Sequence, residues 1–214
     1  MAHGKFITLE GGEGAGKSTQ AKILADFLRK HGIKVVLTRE VGGSTGAEEI
    51  RKLWLSQNEG YWDPLAELFL IFAARREHLT RTIWPALKKG TWVICDRFID
   101  STYAYQGDMK DQRGHKTVNE LYHQIAGQFE PDLTLLLDLP VSTSMSRVKA
   151  RGGWNDRYQL KGPAFHRKLR QAYMALARKH SKRINIIDAQ PDTNEVARLI
   201  QAAVIKHFKL KARK

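Results

Sequence analysis

Cysteine is almost absent from this 214-residue sequence. Cys95 stands alone and can form neither an intramolecular disulfide nor a zinc cluster, which points to a reducing compartment. Long apolar runs are missing too: nothing approaches the roughly 18 consecutive apolar residues of a membrane-spanning helix. The segment from Met1 to Lys5 leads into a short apolar run and then glycines. It lacks the apolar core of about 7 to 15 residues found in a signal peptide. A cytoplasmic protein with no membrane role is the expectation. Repeats, low-complexity tracts and linkers are also lacking, so one domain is expected over residues 1–214.

Acid is scarce in one region only. Residues 147–214 carry 18 Lys and Arg against Asp156, Asp188, Asp192 and Glu195, whereas residues 1–146 balance 18 basic with 18 acidic side chains. The formal charge of +14 therefore belongs to the final third of the chain. Hydrophobic residues at 42% and charged residues at 27% are ordinary for a globular protein and exclude a disordered, fibrous or disulfide-scaffold chain.

Short apolar runs alternate with helical spacing. Phe6–Glu10, Lys34–Thr38, Trp92–Cys95, Leu133–Leu139 and Ile184–Asp188 read as buried strands; 17–31, 45–57, 63–89, 115–128, 141–151, 163–180 and 192–208 read as helices. That alternation predicts an α/β fold, a doubly wound five-stranded parallel sheet with helices on both faces. In such sheets ligands bind beyond the carboxyl ends of the strands, and the unusual residues lie there.

After the first strand, Gly11, Gly12, Glu13, Gly14, Ala15, Gly16, Lys17, Ser18 and Thr19 fit G-x-x-x-x-G-K-[ST]. Glycines let backbone N–H groups curl around a phosphate, Lys17 reaches its terminal oxygens and Ser18 offers a hydroxyl to Mg2+. With a strand before and a helix after, this is the phosphate loop (P-loop) of a nucleoside triphosphate-binding protein. The third strand ends in Cys95-Asp96-Arg97: Asp96 suits the magnesium shell, and Arg97 is a positive fork for a second phosphate. The second strand ends in Thr38-Arg39-Glu40. No N-K-x-D stretch reads guanine, so a GTPase is not expected, and two arginines beside the nucleotide suggest an acceptor that is itself a phosphate. From Arg147 to Arg157 a basic run surrounds Gly152 and Gly153, and reads as a mobile lid over about 147–162. Further basic residues of the final third read as solvated surface, and His78, His115 and His166 have no metal spacing and read as surface or ordinary polar residues.

These motifs together resemble the bacterial thymidylate kinases, within the nucleoside monophosphate kinase group of P-loop proteins. Glu13-Gly14-Ala15 is similar to the family's E-G-A-G-K loop, and Thr38–Gly43 to its T-R-E-P-G-G segment. Asp96–Gly107 is similar to its D-R-x-x-x-S-x-x-A-Y-Q-G signature, and Pro131–Thr134 with Leu137-Asp138 to its P-D-L-T and L-D strand. The resemblance implies transfer of the terminal phosphate of ATP to dTMP with Mg2+, a step of dTTP synthesis, in a homodimer with no specific nucleic-acid partner. It implies that Arg39 and Arg97 hold the dTMP phosphate, Glu13 faces the sugar hydroxyl, and Tyr105 crowds the 2′ position. Thr102, Gln106 and Arg75 would then read the thymine edge, with Ser18 and Asp96 at the metal. Because the phosphate loop lacks Arg, Arg151 and Arg157 of the lid are implied to supply catalytic charge beside Lys17 and Arg97.

Val41 stands where the family has Pro, so the turn that aims Arg39 is expected to lack a cis X-Pro bond. Ile71 stands where a thymine-stacking Phe is expected; either Ile71 covers the base, or Phe69 or Phe72 does so through a local shift, and Phe72 is taken as the base contact. The rival readings are a nucleic-acid-binding P-loop ATPase, motivated by the charge, and a kinase for another nucleoside monophosphate.

Overall fold

Five parallel strands, β1 (Phe6–Glu10), β2 (Val35–Arg39), β3 (Trp92–Asp96), β4 (Leu133–Asp138) and β5 (Ile184–Asp188), form one sheet in the order β2-β3-β1-β4-β5. The computed structural model describes residues 3–55, 60–107, 114–150, 152, 158 and 161–210. Around the sheet lie α1 (Lys17–Lys30), α2 (Thr45–Leu55), α3 (Pro64–His78), α4 (Trp84–Lys88), α5 (Ile99–Gln106), α6 (Gly114–Ala126), α7 (Val141–Ala150), α8 (Pro163–Lys179) and α9 (Thr193–Phe208). With β1 central, the chain leaves it towards β2 and β3 and later crosses to β4 and β5. That reversal opens a crevice at the carboxyl ends of β1 and β3.

Strand alternation divides the core into layers. Ile7 and Leu9 pack with Leu24 and Leu28 of α1 and with Val196, Ile200 and Val204 of α9. Phe6 points to the other face, against Leu68 and Phe72 of α3 and Val118 and Tyr122 of α6. Leu136 and Ile184 pack with Leu169, Tyr173 and Leu176 of α8. Each such buried side chain contributes roughly 1.5–3 kcal/mol relative to exposure. No helix among the described residues is long and apolar enough to cross a membrane.

Two elements differ from the sequence expectation. The rod expected over 63–89 is interrupted by a π-helical turn at Leu79–Ile83, where Trp84 N–H donates to the Leu79 carbonyl. Pro85 has no N–H for the Arg81 carbonyl and its ring crowds that position, so the turn widens. Helix α5 was not expected at all. It buries Ile99 together with the polar Asp100 and Thr102, so no apolar period announces it. Arg183 donates to both oxygens of Asp100, at 2.7 and 2.9 Å, and to Thr134 at 2.6 Å, fastening α5 to the sheet. Smaller differences lie at element ends, as in β2, which runs one residue later than expected and includes Arg39.

Candidate active site

Gly11, Gly14 and Gly16 all hold positive φ, which bends the chain back over the end of β1 and opens α1. At Gly11 the space is closed as well: a Cβ would meet the Leu137 carbonyl oxygen at 2.4 Å. Lys17 curls back onto its own loop, donating to the Gly11 and Gly12 carbonyls at 3.0 and 2.8 Å. Burial, with repulsion from Arg97, lowers its ammonium to about 8, against the pull of Glu13, Asp96 and Glu10. Ser18 Oγ donates to Asp96 Oδ2, while Asp96 Oδ1 is buried without a donor. A hydroxyl and a carboxylate, one of whose oxygens is buried and unfilled, form the donor set of a hard cation that keeps waters and phosphate ligands.

Arg97 follows at φ 70, a left-handed conformation rarely adopted by a residue with a Cβ. Its N–H is held by the Leu9 carbonyl at 2.9 Å. The guanidinium donates to Glu13, to the Gly11 carbonyl, to Ser101 Oγ and to Tyr173 OH, the last three at 3.2 Å, and its carbon lies 5.2 Å from the centre of the Tyr105 ring. Burial raises the Glu13 carboxyl, but Arg97, Lys17 and the Tyr105 hydroxyl outweigh it and hold the group at about 2. Behind Arg97, Glu10 accepts from Phe98 N–H at 2.8 Å, Ser101 Oγ at 2.6 Å and Tyr173 OH at 3.2 Å. Burial and the charge of Asp100 push its carboxyl up to about 7 despite these donors and Arg97.

A second buried network sets the far wall. Glu40 accepts from Arg75 Nε at 2.7 Å and faces His78 Nδ1 at 3.0 Å; Arg75 donates onward to Thr102 Oγ1 at 2.9 Å and the Phe98 carbonyl at 3.2 Å. His78 Nε2 meets Thr38 Oγ1 at 2.8 Å. Burial raises the Glu40 carboxyl, but Arg75 and His78 prevail and lower it below the usual range. At Gly43, a Cβ would lie 2.4 Å from His78 Nε2. The two networks enclose a cavity of about 310 Å³ lined by phosphate-loop residues Glu13, Gly14, Gly16, Lys17, Ser18 and Thr19. Its other walls include Arg39, Arg51, Ile71, Arg75, Asp96, Arg97, Thr102, Tyr105, Gln106 and Tyr158.

The model of the family described as thymidylate kinase matches residues 9–200. The chain belongs to the thymidylate kinase family. A thymidylate kinase of Caulobacter vibrioides is 45% identical over 210 residues, covering 98% of this chain and 100% of its own. One of Ruegeria pomeroyi is 47% identical over 205 residues, covering 96% of each. The solved thymidylate kinase of Ehrlichia chaffeensis matches with a TM-score of 0.75 and 32% identity, covering 94% of this chain and 99% of that one.

Most residues picked out in the sequence on this family pattern meet in the cavity, with two corrections. Phe72 does not line it: the ring is 3% exposed in the core with Arg75 over its face, and Ile71, one residue earlier and about 100° round the helix, takes the wall. The Glu40–Val41 peptide is cis without a proline; Arg75 and His78 grip Glu40, and Arg51 donates to the Val41 carbonyl at 2.6 Å. Of the two readings offered for them, His78, fully buried between Glu40 and Thr38, and His166, 5% exposed, take that of ordinary polar residues. Arg151 and Arg157 lie outside the described residues. Sequence reading missed Glu10, Arg51, Ser101, Tyr158 and Tyr173. Glu10, a charge ending an apolar strand, and Ser101, the serine of the Asp96–Gly107 signature, left a signal.

Proposed function

We propose that this chain transfers the terminal phosphate of ATP to dTMP, giving dTDP and ADP on the way to dTTP. One observation carries the reading: the phosphate loop and the Arg39, Arg75, Arg97, Thr102 and Tyr105 side chains open into the same cavity, so donor and acceptor phosphates meet without a covalent carrier. Lys17 exchanges its two loop carbonyls for the outer phosphates of ATP. Arg97 and Arg39 hold the dTMP phosphate. Arg97 is already oriented by Ser101 and Tyr173, so little freedom is lost on binding. Glu13, kept ionised, accepts the sugar hydroxyl, and Tyr105 fills the 2′ side. Arg75, Thr102 and Gln106 read the thymine edge, with Ile71 over its face.

Ser18 and Asp96 fit Mg2+, which when bound there neutralises charge on the phosphates. We assign residues about 147–162 as a lid within one domain over residues 1–214, with Arg151 and Arg157 supplying charge to the group in transfer. Leu65 and Phe69, 39% and 52% exposed on the outer side of α3, support a homodimer through that helix. The lone, buried Cys95 suits the cytoplasm.

A coupled ADP-release assay across dTMP, dUMP, UMP, AMP and GMP tests the assignment. Highest kcat/KM for dTMP is expected; equal rates across the panel would contradict it.

A further inference from the structure

Glu67 does not line the cavity, yet it is tied to a residue that does. Gln106, the last residue of α5, lines the cavity beside Arg75 and Ile71. Both hydrogen bonds of its carboxamide leave from Nε2: one to Glu67 Oε1 at 3.3 Å, one to Tyr158 OH at 3.1 Å. Tyr158 in turn donates its hydroxyl proton to the same Glu67 oxygen, so the roles around the triangle are consistent. A carboxylate only accepts, and a phenol whose proton is committed offers only its lone pair. The amide nitrogen of Gln106 must therefore face this pair, and the amide cannot be turned over without placing oxygen against oxygen.

We propose that Glu67 and Tyr158 select thymine over cytosine by locking the Gln106 carboxamide with its nitrogen turned away from the base. The proposal rests on the dTMP reading above. Thymine presents an N3–H donor beside an O4 acceptor, whereas cytosine presents an N3 acceptor beside an amino donor. A locked Gln106 offers its oxygen to N3–H. Arg75, a donor-only group whose buried NH1 has no partner, offers hydrogens to O4. Cytosine would set acceptor against acceptor and donor against donor, which desolvated polar groups do not tolerate. Uracil has the same edge as thymine, so the lock is blind to the methyl group. Glu67 and Tyr158 are positioning residues, and they come from α3 and from the stretch before α8, so the side chains reading the base are fixed from outside α5. The Tyr158 ring is itself held edge-on to Tyr105, centroids 5.1 Å apart.

The test is kcat/KM of the full chain for dTMP, dUMP, dCMP and AMP, in wild type, Glu67→Gln and Tyr158→Phe, with thermal melts alongside. A glutamine at 67 both donates and accepts, so Gln106 becomes free to turn. Its dTMP:dCMP preference should fall by about tenfold or more while dTMP:dUMP stays within about twofold. Tyr158→Phe should move the same ratio in the same direction by less. A purely structural tie between helices would lower the melting temperature and all three pyrimidine rates together. A folded variant that keeps the wild-type dTMP:dCMP ratio overturns the proposal, and if Glu67→Gln does not fold, Tyr158→Phe alone decides it. A wild type that prefers AMP to dTMP overturns the functional reading as well, a result distinct from an unchanged pyrimidine ratio.

Discussion

The two halves of the cavity are built by opposite means. The donor half comes from one contiguous stretch, Gly11 to Thr19, six of whose residues line the cavity, shaped by backbone conformation. The acceptor half draws Arg39, Arg75, Arg97, Thr102, Tyr105 and Gln106 from three elements and the turn after β3, and buried side chains such as Glu40 and Glu10 hold it together. A local half tolerates change elsewhere in the chain, whereas a distributed half fails when any distant partner is altered. Substitutions in the two halves should therefore differ in what else they disturb.

The largest effect is expected from Lys17→Ala. Turnover should fall about a thousandfold in steady-state assays, since the terminal phosphate loses its cation. The melting temperature should not fall, because a buried ammonium already lowered to about 8 is removed. Arg97→Ala should cost about a hundredfold in kcat/KM for dTMP and, unlike the donor change, about 2 kcal/mol of stability. It strips Glu13 and Glu10 of their shared cation. Near-normal kinetics would make Arg97 only structural.

A smaller pair sharpens the acceptor half itself. Ile71→Ala should raise the KM for dTMP a few-fold with little change for ATP, whereas Phe72→Leu should leave both constants alone and cost about 1 kcal/mol of stability. The reverse pattern would return the base contact to Phe72.

The smallest effect is a pH dependence. Glu10 titrates at about 7 in the folded chain against 4.5 ordinarily, so the native state holds the extra proton between those values. Its stabilising contribution is complete below about 4.5 and lost as pH rises through about 7. The melting temperature of Glu10→Gln relative to wild type should therefore rise between about pH 5 and about pH 8. An offset constant with pH would contradict the buried, raised carboxyl.

The same contrast explains what could be read in the sequence. The phosphate loop is contiguous, with Gly11, Gly14 and Gly16 at positions whose φ requires glycine, so spacing alone reveals it. Strands β1 to β5 were legible because each is an apolar run, even at the edge, where Ile186 of β5 is 47% exposed. Helix α5, the Glu40–His78 pair and Tyr173 were not. Their partners lie 38 residues apart for Glu40 and His78 and 163 apart for Glu10 and Tyr173, and no local pattern encodes such a meeting. The basic final third shows the same limit. Arg147 donates to the carbonyls of Ala189 and Gln190, Arg170 grips Asp138 at 2.6 and 2.8 Å, and Arg183 clamps Asp100. Arg147 read as the start of the lid and Arg170 and Arg183 as solvated surface, yet all three fasten the C-terminal elements to the body.

The most direct test of a shared cavity is calorimetric binding of one molecule carrying adenosine and thymidine joined 5′ to 5′ through a polyphosphate chain. If donor and acceptor halves face one another, it binds more tightly than either ATP or dTMP, because its second half docks at high effective concentration. Both Lys17→Ala and Arg97→Ala should then weaken it. Affinity equal to that of ATP alone, and indifferent to Arg97→Ala, would contradict the account.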